Sequence, residues 1–85
     1  MLLKIMFFAY ILKSEKDSTY YYGSTEDILK RLQYHNSGKV RYTKGHTPYK
    51  LHYFESFKTR SEAMLREKFF KTIDGYNWLK TQGII

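Results

Sequence analysis

Residues 8–35, FAYILKSEKDSTYYYGSTEDILKRLQYH, decide how this chain folds. Their first part belongs to an apolar run, residues 5–12, in which Ile5, Phe7, Ala9 and Ile11 form one alternating row and Met6, Phe8, Tyr10 and Leu12 the other. Successive strand residues point to opposite faces, so two apolar rows predict a strand covered on both sides and central in its sheet. SEKDST is a polar turn and YYYG a second short strand, which makes a hairpin. STED reads as a helix start, with Ser24 as N-cap, Asp27 three residues on, and acids where the helix dipole favours them. That helix is predicted to run to about Asn36 with Gly38 as its stop. Ile28, Leu29 and Leu32 supply its core face, and Arg31 and His35, four residues apart, share one flank and can act on one ligand.

Working outward, NSGKVRYTKGHTP is a loop by its Gly, Pro and Ser content, and its length suggests function, because loops this long in compact domains usually carry it or are disordered. YKLHYFESF is a third strand. TRSE is a capping box opening a second helix, from Ser61 to about Thr72, and DGYNWLKTQ is a short last helix after a glycine break. The order strand, strand, helix, strand, helix, helix predicts an α+β fold, a three-stranded antiparallel sheet flanked by helices. At 85 residues the expectation is one domain, 1–85, with a single modest core.

Composition narrows the function. Fifteen Lys and Arg against eight Asp and Glu give a net charge of +7, and residues 28–54 contain no acid but hold Lys30, Arg31, Lys39, Arg41, Lys44 and Lys50. A basic, tyrosine-bearing stretch fits a polyanion, since cations neutralise phosphates and aromatic faces stack on bases. A merely soluble cationic surface fits equally well at this level. Without cysteine there is neither a disulfide framework nor a thiolate zinc site, which fits a reducing, cytoplasmic setting. MLLKIMFFAYIL is interrupted by Lys4, has no signal-peptide pattern and falls short of the ~20 apolar residues of a membrane span, so it reads as a buried strand and no membrane partner is expected.

The chain resembles the GIY-YIG endonuclease domain, in particular its small stand-alone bacterial group, over nearly its whole length. FAY stands where the first signature tripeptide belongs, and YYG, Tyr21 to Gly23, matches the second. LKRLQYHNSGK, YTKGHTPYKLHYFESF and TRSEAMLREK follow in the group's order. The resemblance implies Tyr10 and Tyr21 as the signature tyrosines, Arg31 as the helix arginine, His35 as a histidine one turn later and Glu67 as the metal-binding glutamate. It departs from the pattern at Phe8, Ala9 and Tyr22, positions that mainly pack or shape the hairpin. Asn77 lies near an asparagine that larger members carry and is not included in the site. The implied activity is hydrolysis of phosphodiester bonds in DNA, with RNA left open.

The same residue types suit that chemistry on their own. Cleaving a phosphodiester needs an activated water, a cation against the charge building on phosphate, and usually a metal. Arg31 offers a planar fork for two phosphate oxygens, and Glu67 suits one Mg²⁺ or Mn²⁺ that keeps most of its coordination sphere for water and substrate. Tyr10 or Tyr21 is the proton acceptor, its phenol needing nearby cations to lower it from ~10. His35 relays a proton or holds a phosphate. Lys39, Arg41, Tyr42 and Lys44, in the basic loop, grip the nucleic-acid backbone. Each residue also has an ordinary reading: strand tyrosines as core, Arg31 with Asp27 and Glu67 with Lys71 as helix-surface ion pairs, His35 as a solvated helix-end histidine, the loop cations as a solvated surface. No separate targeting domain is expected, so sequence preference should be weak, with a branched, damaged or single-stranded shape, as in repair, or a partner protein supplying the target. The rival reading is a non-catalytic or weakly catalytic nucleic-acid-binding module. A structural protein is a third.

Overall fold

A computed structural model of the chain describes residues 5–85. Strand β1 spans Phe7–Ser14, β2 Tyr20–Thr25 and β3 Tyr49–Phe57, while helices α1, α2 and α3 span Ile28–Asn36, Arg60–Phe70 and Ile73–Thr81. The sheet is antiparallel in the order β2-β1-β3, so β1 is central, as its two apolar rows require. Ala9 and Ile11 face Phe70 and Leu79 beneath α2 and α3, with Tyr22, Tyr53 and Trp78 packed around them. Tyr10 and Leu12 face the other way, packed with Tyr49, Tyr21, Leu51 and Leu32 of α1. The α+β fold and element order predicted from sequence are the ones observed.

Several boundaries differ. Strand β1 begins at Phe7, and Ile5 is exposed. The Met1–Lys4 part of the apolar stretch lies outside the described residues. Ser24 is not the N-cap: it pairs with Ala9, and strand pairing continues to Thr25. The cap is Asp27, whose Oδ1 accepts from the Lys30 amide at 3.0 Å, so its carboxylate serves the backbone and forms no ion pair with Arg31. Leu29 is 70% exposed rather than in the core, because α1 meets the sheet through Leu32 and the buried His35, and Leu29 falls on the outer flank. Gly38 does follow the helix, at φ +79°, with its amide on the His35 carbonyl.

At the start of α2 the expected cap forms at Thr59, but the reciprocal bond of a capping box, from the Thr59 backbone N–H to Glu62, does not: the Glu62 carboxylate meets the Thr59 hydroxyl instead. Thr59 Oγ1 accepts from the Glu62 amide at 3.2 Å and donates to the Glu62 carboxylate at 2.9 Å. The break before the last helix, however, lies at Lys71 and Thr72, and Thr72 caps α3. Gly75 sits inside α3, where an added Cβ would stand 1.8 Å from the Phe69 carbonyl oxygen, so its role is close approach of two helices. Loop 37–48 is pinned rather than free. Ser14 Oγ donates to the His46 carbonyl at 2.5 Å, the Glu15 amide to the Pro48 carbonyl at 2.8 Å, and His46 pairs with Asp17 at 2.5 Å. Asn36 closes the other side, its amide bonding both the Tyr49 N–H (2.7 Å) and C=O (2.9 Å). Among the described residues no helix is long and apolar enough to cross a membrane.

Candidate active site

The site begins at the centre of β1, where Tyr10 is 1% exposed and opposite Gly23 of β2. A Cβ on Gly23 would lie 2.4 Å from the Tyr10 hydroxyl oxygen and 2.5 Å from the ring carbon bearing it. The end of the phenol therefore occupies the space that any side chain at 23 would take. The hairpin pairs Tyr with Gly for this reason, and the missing Cβ carries the hydroxyl toward the β2 side of the sheet. Tyr21, two residues earlier on the same face, packs its ring 6.5 Å from that of Tyr10 and 4.6 Å from the His35 imidazole.

His35 is wholly buried, which overturns its reading as a solvated helix-end histidine. Its Nε2 lies 3.2 Å from the Tyr10 hydroxyl and its Nδ1 2.9 Å from Thr43 Oγ1. Thr43 is itself buried and its hydroxyl reaches the Val40 carbonyl at 3.3 Å. With that hydroxyl donating to Val40, Nδ1–H donates to Thr43 and Nε2 accepts the Tyr10 proton. Burial, seconded by the Arg31 charge, pushes the imidazole down to about 4, so His35 is neutral at pH 7. A neutral imidazole whose two nitrogens are both engaged within the fold positions Tyr10 and ties the loop to the sheet. It has no charge to offer a phosphate.

Burial likewise governs Tyr10. Removal from water pushes its phenol up to about 12, and the Arg31 guanidinium beside it, which acts in the opposite direction, does not overcome this. The neighbouring cation thus acts on Tyr10 in the expected direction, and burial outweighs it. Tyr21 is the partly exposed phenol of the pair.

Arg31 enters from α1, the same flank as His35, with its guanidinium carbon 5.4 Å from the Tyr34 ring centre. Its Nε is buried and has no hydrogen-bond partner among the described residues. Such a donor costs about 1–3 kcal/mol and calls for an explanation. Glu67 comes from α2, in the layer on the other side of the sheet, yet its carboxylate is near enough to add to the rise at Tyr10. Its side chain is 22% exposed, and Oε2 accepts from Lys71 Nζ at 2.7 Å, so the helix ion pair read from the sequence is present. Tyr10, Tyr21, Arg31 and His35 are therefore brought together, with Glu67 beyond the sheet where its charge acts on Tyr10.

The loop residues divide. Lys39, Arg41 and Lys44 are exposed and form no ion pair among the described residues, and the structure does not carry them into the cluster. Tyr42, although 74% exposed, packs its ring 5.9 Å from Tyr21 and 6.4 Å from His46. Thr43 and Lys71 join the site although sequence reasoning does not place them there. The signal for Thr43 was available only as a hydroxyl inside an otherwise basic loop, eight residues from His35. Among the described residues no three His, Cys, Asp or Glu groups come together. A single carboxylate nonetheless suits Mg²⁺, which usually keeps several waters and takes one or two carboxylates plus substrate phosphate. Glu67 fits that donor set if Lys71 yields its place.

The sequence pattern of the GIY-YIG catalytic domain matches residues 6–77. A UPF0213 protein of Bacillus licheniformis is 46% identical over 69 residues, covering 80% of this chain and 70% of the relative. A UPF0213 protein of Listeria monocytogenes is 45% identical over 71 residues, covering 82% and 78%. The solution NMR structure of a UPF0213 protein from Bacillus halodurans is similar with a TM-score of 0.53 and 31% identity, over 92% of this chain and 85% of that one.

Proposed function

Because the chain belongs to the GIY-YIG family, a family of nuclease domains, we propose that it is a divalent-metal-dependent endonuclease hydrolysing phosphodiester bonds in DNA with little sequence preference of its own. The observation that carries this reading is the buried, unpartnered Nε of Arg31 beside two tyrosines. A phosphate oxygen would satisfy it, and the planar guanidinium would spread its charge over a second oxygen as negative charge builds in the transition state. Desolvation strengthens that attraction relative to an exposed arginine.

Tyr21 is the phenol assigned to the attacking water, since Tyr10 is held protonated by burial and directed at His35. Tyr10, its one proton committed to His35, is then a positioning residue that fixes the Arg31 and Tyr21 side chains beside it, itself oriented by His35 and Thr43. Glu67 would hold one Mg²⁺ or Mn²⁺, which when bound supplies Lewis-acid charge stabilisation on the phosphate. Lys71 is the cation that must leave the carboxylate for this to happen. Lys39, Arg41 and Lys44 add sequence-independent attraction for the backbone from the exposed loop.

One observation favours the rival binding module. The Lys71 ammonium already neutralises Glu67 at 2.7 Å, as in an ordinary helix ion pair. Incubation with plasmid, branched DNA and RNA, with Mg²⁺ or Mn²⁺ against EDTA, separates the two. The nuclease reading expects metal-dependent cutting that falls at least 100-fold (about 2.7 kcal/mol) in Arg31→Ala and Glu67→Ala and falls in Tyr21→Phe. No cutting by the wild type, or equal cutting by the variants, overturns it. Salt-sensitive binding that survives Glu67→Ala without cleavage would establish the binding module instead.

A further inference from the structure

Beside the site a groove of about 470 Å³ is lined by Tyr20, Tyr21, Tyr22, Tyr42 and Lys71. Strand β2 is an edge strand, and its three consecutive tyrosines take both faces, so a groove touching all three follows that edge. Tyr20 and Tyr22 pack toward the α2 side, Tyr22 against Phe70 at 6.2 Å, and they form wall rather than free surface. Tyr42 is different. The core does not need it, and it is 74% exposed. Its ring is still held by Tyr21 and His46, and both of its chain neighbourhoods are fastened: Thr43 to His35, His46 to Asp17 and Ser14. An exposed aromatic ring kept in one orientation has lost most of its ordering cost before a ligand arrives.

The groove is joined to the site through two shared contacts. Tyr21 lines both, and Lys71 bonds Glu67. Whatever occupies it lies one unit along from a group held by Arg31. Four phenol rings with a single ammonium match a flat, polar aromatic bearing a nearby anion. We propose that this groove is a stacking subsite for one unpaired nucleobase adjacent to the scissile phosphate, with Tyr42 as its platform and Lys71 facing the phosphate of that nucleotide. The proposal rests on the phosphodiester reading of the adjoining site. A base inside a duplex has both faces covered by its neighbours and cannot stack on a side chain, so the subsite selects strands whose base is free or extruded.

The test uses the full chain in EDTA, so that binding is read without cleavage. Probes are a short single-stranded oligodeoxynucleotide carrying 2-aminopurine, its duplex, a fully abasic strand of the same length, and the ribonucleotide version of the single strand. Wild type should quench 2-aminopurine in the single strand, and Tyr42→Ala should weaken that binding about 5- to 100-fold while Tyr42→Phe stays near wild type. The fully abasic strand, which offers no base to stack, should bind wild type as weakly as the intact strand binds Tyr42→Ala, and Tyr42→Ala should add nothing to that loss. Lys71→Ala should lower the salt slope by about one phosphate. Quenching with either sugar supports the subsite and tells which strand it takes. Circular dichroism checks that the variants fold. Unchanged single-strand binding by Tyr42→Ala, equal losses on single strand and duplex, or a Tyr42→Phe loss as large as that of Tyr42→Ala would overturn it. Failure of the nuclease reading would appear separately, as absence of metal-dependent cutting with these binding differences intact.

Discussion

Acid should unfold this protein through His35. Its imidazole is wholly buried between Tyr10 and Thr43, with the rings of Tyr21 and Tyr49 at 4.6 and 6.2 Å and Arg31 contributing like charge. In the unfolded chain it titrates near 6.5, whereas burial in the fold lowers it to about 4. The folded state therefore binds its proton less readily than the unfolded one. The contribution is fully present above pH 6.5 and is lost as pH falls through the window down to about 4. At 1.36 kcal/mol per unit the full loss is about 3 kcal/mol, of which about 1 kcal/mol is gone by pH 5.5 and most of the rest by pH 4.5. Against a typical total of about 5–15 kcal/mol this is a large fraction. Urea denaturation followed by Trp78 fluorescence at pH 7.5, 6.5, 5.5 and 4.5 measures it. His35→Gln, which keeps polar atoms but does not titrate, should be less stable than wild type at pH 7.5 and should show a shallower decline toward pH 4.5. Parallel curves for the two proteins, or an NMR titration of His35 centred near 6.5, would refute the reasoning.

Three further substitutions probe the same geometry. Gly23→Ala places a methyl 2.4 Å from the Tyr10 hydroxyl oxygen, so overpacking should cost about 1–3 kcal/mol, and displaced Tyr10 should take activity with it; a thermal melt within a degree of wild type would count against the close approach. Thr43→Val leaves the buried His35 Nδ1–H without an acceptor and should cost about 1–3 kcal/mol, with Thr43→Ser recovering most of it in the same denaturation assay. Asn36→Ala removes both hydrogen bonds to the Tyr49 backbone and should cost about 1 kcal/mol, because water can reach that strand edge in part; hydrogen exchange at the Tyr49 amide should accelerate.

The fold was legible where local pattern and tertiary demand agree. The two apolar rows of β1 require cover on both faces, and they get it from α1 on one side and α2 with α3 on the other. TRSE names its own cap, and Thr59 takes the Glu62 amide. Legibility failed where two local signals compete and a distant contact decides. Ser24 and Asp27 are both good caps, but pairing of Ser24 with Ala9 keeps the strand going and passes the role to Asp27. Gly75 looked like a break because helix propensity argues against glycine. The reason it stands inside α3 is the Phe69 carbonyl, which no local window contains. His35 reads as a helix-end residue by position, and only the return of Thr43 over it makes it core.

The candidate site shows the same division more sharply. The spacing of Arg31 and His35 placed both on one flank of α1, and both do point inward; what spacing left undetermined is that one remains a charged fork with an unpartnered donor while the other becomes a neutral support. Glu67 is on a helix packed against the opposite face, which alone would argue for separation. Gly23 resolves the difficulty: with no side chain there, the Tyr10 phenol lies across β2, close enough for the charge of Glu67 to reach it. In that neighbourhood Arg31 and Lys71 bring two positive charges and Glu67 one negative, and His35 contributes none near pH 7. An anion entering beside the Arg31 Nε would balance the remaining positive charge and satisfy its open donor in one step. A neutral ligand would do neither, so the charge balance and the hydrogen-bond deficit of the cluster select the same class of occupant.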